Sequence, residues 1–302
     1  MPAAQIRLEW PTIALAIVIY AGWLALTWFH AALPFWVLMP LGGWFCAWHA
    51  SLQHEVIHGH PTPWRRVNHA IGFPPLLLFL PFDAYRISHL RHHFDERLTD
   101  PLDDPESFYW TPESWALLSG PKRWMVRAQT TFLGRILLGP PWVAVRYLLQ
   151  EFNQVAEGKR LHIRIWLKQT IGVALVLAWV CGFCGMSIWL YLAAFVYPGT
   201  ALMLVRSFAE HRAEANVSER IAVVENAPVL GLLFLYNNLH FIHHGYPGLP
   251  WYKIPAAYRI QRAQVLRENG GLVYNSYWDV ARRFFLTAHD QPVHPLGRIP
   301  AI

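Results

Sequence analysis

The stretch that decides the fold runs from Trp10 to His54 and reads WPTIALAIVIYAGWLALTWFHAALPFWVLMPLGGWFCAWHASLQH. Its 45 residues include no Asp, Glu, Lys or Arg. As a helix, this stretch would extend roughly 68 Å at 1.5 Å per residue, which suits two crossings of a hydrocarbon layer about 30 Å thick. A proline and polar residues interrupt it at His30–Pro34, so we predict two membrane spans, at residues 11–30 and 34–53.

A second uncharged run extends from Gln169 to Val205 and has 37 residues. It predicts two further spans, at 168–184 and 187–206, with a turn between them. The shorter apolar pieces Val67–Phe82 and Ala227–Tyr236 are broken by prolines or too short to span, so we expect them at the interface or re-entering against protein. The predicted fold class is therefore all-α. One domain over 1–302 would hold four transmembrane helices in two hairpins, with a helical cap from 55–167 and 207–302.

Charge and composition predict the orientation and exclude some partners. The chain is 54% hydrophobic, only 15% charged, and holds 16 Trp, which favours membrane interfaces. Neither predicted outer turn holds Lys or Arg, so both termini and the cap are expected in the cytoplasm, at a bacterial inner membrane. The net charge of +6 suits anionic lipid or an acidic protein, and no basic and aromatic motif predicts nucleic-acid binding. Cys46, Cys181 and Cys184 lie in apolar stretches and predict packing rather than disulfides.

Nine of the 16 histidines fall into four groups beside the predicted membrane spans. Histidines at i, i+3 and i+4 share one face of a helix, and neutral imidazole binds Fe, Zn, Cu or Ni. A structural zinc needs four ligands, so nine candidates predict two metal ions on the cap side. The candidate ligands are His54, His58, His89, His92, His93, His211, His240, His243 and His244. His60 is a weaker candidate. An ordinary structural role is expected for His30, His49, His69, His162, His289 and His294.

The order HxxxH, HxxHH, a single His after a span, and HxxHH resembles the integral-membrane fatty acid desaturase/hydroxylase superfamily. The segments that carry the likeness are 54–61, 89–107, 206–212 and 238–255. The resemblance implies a four-helix membrane fold under a cytoplasmic cap. It also implies a non-haem di-iron centre that activates O2, with the nine histidines above as ligands. In some members an asparagine near the last histidines holds a water beside the metal, and Asn237 or Asn238 would match it.

Acidic residues near the histidines are expected to orient the imidazoles, because ligating histidines usually donate their second N–H to a carboxylate or carbonyl. The candidates by sequence position are Glu55, Asp95, Asp100 and Glu210. The segment 103–106, Asp-Asp-Pro-Glu, is also similar to one in bacterial carotenoid ketolases of the same superfamily.

The resemblance predicts an O2-dependent oxidoreductase acting on an apolar lipid from the bilayer, with a fatty acyl desaturase first. Hydroxylase, ketolase or decarboxylase chemistry on the same centre, with a carotenoid or other lipid, stays open. A zinc-dependent membrane hydrolase and a metal transporter are more distant alternatives, and the uncharged span 169–205 counts against transport. No haem-binding, flavin or nicotinamide motif is found in the sequence, so we expect a separate electron donor such as an acidic ferredoxin.

Overall fold

The computed structural model describes residues 8–296, except for the side chain of Asp95. Helices make up most of this part, and one pair of short parallel strands joins β1 (Val223–Val224) to β2 (Val273–Tyr274). The helices are α1 Trp10–Trp28, α2 Phe35–Ile57, α3 Arg65–Gly72, α4 Phe82–His92, α5 Pro112–Ala116, α6 Gly120–Gln129, α7 Phe132–Ala156, α8 Arg160–Leu177, α9 Ile188–Tyr191, α10 Tyr197–Phe208, α11 Pro228–Leu233, α12 His240–Gly245, α13 Ile254–Glu268 and α14 Tyr277–Phe284.

The chain forms two compact units. The first contains residues up to Arg86 together with 141–202, and the second contains 87–140 together with the chain from Met203 onward. The chain passes from one unit to the other within α4, α7 and α10.

Three helical segments are long and apolar enough to cross a membrane: Trp10–Trp28, Arg160–Phe183 and Ile188–Phe208. Two of them are longer than α8 and α10. The π-helical segment Ala178–Phe183 continues α8, and the π-helical segment Leu192–Val196 joins α9 to α10. The helix that contains the third predicted span begins at Arg160, before residue 168, because α8 includes charged residues ahead of its apolar part. The 23-residue α2 is not among the three, because its second half is rich in buried polar side chains: His49, Ser51, Gln53, His54 and Glu55.

The apolar piece 67–82 forms no helix long enough to cross a membrane, as expected. After α3 its backbone is irregular, and polar side chains from the long helices bind its carbonyl groups. Gln53 donates to Gly72 O at 2.7 Å, Tyr191 to Leu76 O at 2.8 Å and Gln169 to Leu78 O at 2.7 Å. Non-helical backbone within an apolar layer needs such partners.

In the second unit, α12 packs its apolar face on α13. Leu239 and Ile242 belong to a buried cluster with Ile254, Tyr258, Val265 and Val223. The turn before α12 contains two non-glycine residues with positive φ, Leu235 at 50° and Tyr236 at 58°. Each such residue costs on the order of 1–3 kcal/mol, and the turn places Asn237 and Asn238 just ahead of His240.

Candidate metal centre

Four of the predicted ligands meet in the second unit. His92 is the last residue of α4, His211 follows α10, and α12 supplies His240 and His244. One ring nitrogen of each lies within 4.8 Å of the others. His92, His240 and His244 are buried, and His211 is half-buried. We call this set the four-histidine site.

The hydrogen bonds of these rings show where their protons are. His92 Nδ1 lies 2.9 Å from Asp104 Oδ1, and His240 Nδ1 lies 3.0 Å from Asn237 Oδ1. His211 Nδ1 lies 3.3 Å from the carbonyl oxygen of Arg220. Because these oxygens only accept, each Nδ1 carries a proton.

The opposite ring nitrogens then face each other. His211 Nε2 lies 3.0 Å from His92 Nε2 and 2.9 Å from His240 Nε2. His211 and His240 are neutral rings whose proton sits on Nδ1, so their Nε2 atoms present lone pairs to each other, and a cation between them resolves that repulsion. The donor set therefore fits a metal ion that imidazole binds.

Burial keeps most of these rings neutral. It lowers the pKa of His211, His240 and His244 well below the ordinary histidine value, and the neighbouring histidines lower it further. His92 differs: burial lowers its pKa, but Glu106 and Asp104 outweigh burial and raise it to about 9. A bound cation would displace that extra proton, since ligation needs neutral imidazole.

A second set of histidines lies beside the first in the same unit. His93 Nε2 is 3.1 Å from His89 Nε2 and 3.0 Å from His243 Nε2. His89 Nδ1 contacts Glu106 Oε1 at 3.0 Å, so its proton is also held on the far side of the ring. His89 and His243 each offer a ring nitrogen within 4.8 Å of the other.

In the first unit, His54 and His58 lie one turn apart at the end of α2. Their ring centroids are 5.1 Å apart and their candidate ligand atoms lie within 4.8 Å. The weaker candidate His60 points Nδ1 at Glu9 Oε1, 2.7 Å away. The remaining histidines have other partners: His30 with Thr27, His49 with Tyr20, His69 with Asp83, His162 with Glu151, His289 with Tyr274 and His294 with Thr99.

Of the acidic and amide residues predicted to orient the histidines, some lie beside a histidine ring and others bind backbone groups. Glu210 lies 3.5 Å from His240 Nδ1 and accepts a hydrogen bond from Asn237 at 3.0 Å. Asn238 donates to the carbonyl of Val224, and Asp100 accepts from the backbone N–H groups of Leu102 and Asp103. Glu55 is buried near the end of α2. The side chain of Asp95 lies outside the described part of the chain.

Sequence reasoning did not assign the two carboxylates that contact ligand rings most directly. Asp104 and Glu106 follow His92 by 12 and 14 positions, and a loop brings them back onto His92 and His89. The one sequence signal for them is the Asp-Asp-Pro-Glu segment at 103–106, whose likeness to ketolases does not assign these contacts. The carbonyl of Arg220 has no sequence signal, because any residue supplies one.

The described part of the chain combines three helices long and apolar enough to cross a membrane with clustered, mostly buried histidines that could hold a metal ion. The sequence model of the fatty acid desaturase family matches residues 31–278, a range that includes all nine histidines. The chain belongs to this family, and family membership supports its being an enzyme. No curated protein matches the chain.

Proposed function

We propose that this protein is an O2-dependent di-iron oxidoreductase that desaturates a fatty acyl chain drawn from the bilayer. The observation that carries the proposal is the convergence of Nε2 atoms from His92, His211 and His240, with each Nδ1 bound to oxygen. Nitrogen-rich ligation without a cysteine suits iron that reacts with O2. The family adds the substrate class.

We propose that the nine histidines hold two irons. The four-histidine site would hold one. In the same unit, His89, His93 and His243 are the candidates for the second iron. In the other unit, His54 and His58 lie within ligand distance of each other and are candidates as well. When bound, the irons would supply the activation of O2 that oxidises a C–H bond.

The chain's own residues prepare that chemistry. Asp104 and Glu106 keep a proton on Nδ1 of His92 and His89, so Nε2 is the nitrogen of each ring that would bind metal. Burial of His89, His92, His240 and His243 excludes water from the ligand nitrogens. Exclusion of water protects reactive species from side reactions.

The topology and the electron donor are also proposals. With α2 as a fourth span, the turns at 30–34 and 184–187 would lie outside and both termini in the cytoplasm of a bacterium, because neither turn holds Lys or Arg. The excess of basic residues, with a net charge of +6, would favour an acidic ferredoxin-like donor.

Two measurements test the proposal. Protein purified in detergent is analysed for iron and zinc, and the lipids of expressing cells are analysed by mass spectrometry. We expect about two irons per chain and lipids that have lost two hydrogens. Less than about one iron per chain in active protein would refute the di-iron centre, and lipids that gain one oxygen would mean hydroxylation instead. Cells that express His211→Ala are the control.

A further inference from the structure

Residues 289–294, which we call the C-terminal strap, bind the loop that carries Asp104 and Glu106. Trp110 N donates to Pro292 O at 2.8 Å, and His294 N donates to Trp110 O at 3.0 Å. At its start, the strap is fixed by His289 N, which donates to Thr130 O at 2.7 Å.

One path of contacts runs from the strap to a metal ligand through Thr99. Leu296 N donates to His294 Nδ1 at 3.3 Å, so the proton of this ring is on Nε2, which donates to Thr99 Oγ1 at 3.2 Å. The backbone N–H of Thr99 donates to Asp104 Oδ2 at 2.9 Å, and the other oxygen of Asp104 holds His92. Thr99 has φ of +68°, which a threonine adopts only when its surroundings hold it.

A second path runs through Tyr109, which is buried. Its hydroxyl donates to Asp290 of the strap and accepts a hydrogen bond from Ala213 N at 2.8 Å. Ala213 is two residues beyond His211. One hydroxyl therefore joins the strap, the acidic loop and the segment that carries another metal ligand.

We propose that Tyr109 and His294 are positioning residues for the four-histidine site, and that the C-terminal strap holds His92 and His211 in their binding geometry. The inference rests on the part of the proposed function that gives these histidines a metal, and not on the reaction. A strap that only stabilises the fold would affect metal-free and metal-loaded protein alike. A positioning strap also changes how tightly, and in what geometry, the metal is held.

The test uses full-length protein in detergent, stripped of iron and loaded with Co2+, whose visible spectrum reports ligand geometry. The rate of cobalt transfer to a chelator is measured for wild type, Tyr109→Phe, His294→Ala and His294→Gln. Tyr258→Phe is the matched control, because it also removes a hydroxyl that donates to a carboxylate, that of Glu225, in the same unit.

We expect Tyr109→Phe and His294→Ala to release cobalt about three- to tenfold faster, below the 10–100-fold effect typical of direct partners of ligands. Their cobalt spectra should shift. His294→Gln should recover part of the loss, because its amide can still donate to Thr99. Thermal unfolding of the metal-free variants shows how much of any change is general stability.

The positioning role would be refuted if Tyr109→Phe and His294→Ala released cobalt at the wild-type rate and kept the wild-type spectrum. It would also be refuted if their changes were no larger than those of Tyr258→Phe. Neither result would bear on the proposed metal site itself. Wild-type protein that takes up no cobalt would overturn the proposed metal site as well, so the two failures are distinguishable.

Discussion

Replacing Asp104 with Asn tests how the acidic loop orients the histidines. Three donors converge on this carboxylate at 2.9 Å each: His92 Nδ1 and Glu106 N on Oδ1, and Thr99 N on Oδ2. An amide has one oxygen. If that oxygen stays at Oδ1, the new NH2 group faces the buried N–H of Thr99. That N–H loses its partner, which costs about 1–3 kcal/mol of folding stability.

Metal affinity should fall in addition, because an uncharged amide polarises the His92 ring less than a carboxylate does. Loss of such a partner typically lowers metal affinity 10–100-fold, which corresponds to about 1.4–2.7 kcal/mol. The loss of stability affects metal-free and metal-loaded protein alike, whereas the loss of affinity appears only in binding. Competition against a chromophoric chelator measures the affinity, and thermal unfolding of metal-free protein measures the stability.

Asp103→Asn is the control, since Asp103 is the adjacent acid in the same loop. It pairs with Arg97 at 3.2 Å and Arg91 at 3.6 Å, and its side chain is 30% exposed. We expect Asp103→Asn to bind metal as wild type does. If Asp104→Asn bound metal within about twofold of Asp103→Asn, rather than 10–100-fold more weakly, the orienting role of Asp104 would be refuted.

Three further predictions follow from the same contacts. His211→Ala should lower the iron content by about one ion per chain, measured by metal analysis. The control, His162→Ala, should keep the wild-type iron content. Equal iron contents in the two variants would contradict metal binding at the four-histidine site. Arg262 and Tyr258 lower the pKa of Glu225 against the effect of burial. The contacts of ionised Glu225 therefore stabilise the fold above the ordinary Glu pKa, and this contribution is lost as pH falls through the lowered pKa of Glu225. The melting temperatures of wild type and Glu225→Gln should converge in acid, and a difference that stays constant with pH would contradict this. With a ferredoxin as donor, turnover should fall as salt rises, and salt-independent turnover would exclude electrostatic docking.

Hydropathy predicted where the apolar helices lie better than where each begins. The break at His30–Pro34 was correct because proline and polarity interrupt a long uncharged run, and α1 and α2 end and begin there. α8 begins before the predicted span at 168–184 because Arg160, Arg164 and Lys168 lower hydropathy without ending a helix. The 25-residue α7 lies in the predicted helical cap, but its bounds were not predicted, since Pro140, Pro141 and the charged Arg135, Arg146 and Glu151 interrupt its apolar residues.

Which histidines of α4 and α12 lie close together could be predicted because each HxxHH spacing is local. A spacing of three or four residues puts two rings on one helix face whatever the rest of the fold does. The partners on the far side of each ring depend on loops, which have no periodicity. Asp100 is nearer to His92 in sequence than Asp104 is, yet Asp100 binds backbone N–H groups while Asp104 reaches the ring.

The identity of these partners matters for the chemistry, because a carboxylate and a carbonyl do not polarise an imidazole equally. His92 donates to a carboxylate, His211 to a carbonyl and His240 to an amide oxygen. The four-histidine site is therefore electronically graded: His92 is the strongest electron donor of these three. If the grading matters, Asp104→Asn should raise the reduction potential of the proposed iron and Asn237→Asp should lower it, because the first variant removes a carboxylate beside a ligand ring and the second adds one. Redox titration of both variants beside wild type distinguishes a graded site from one in which the acids only fix ring orientation.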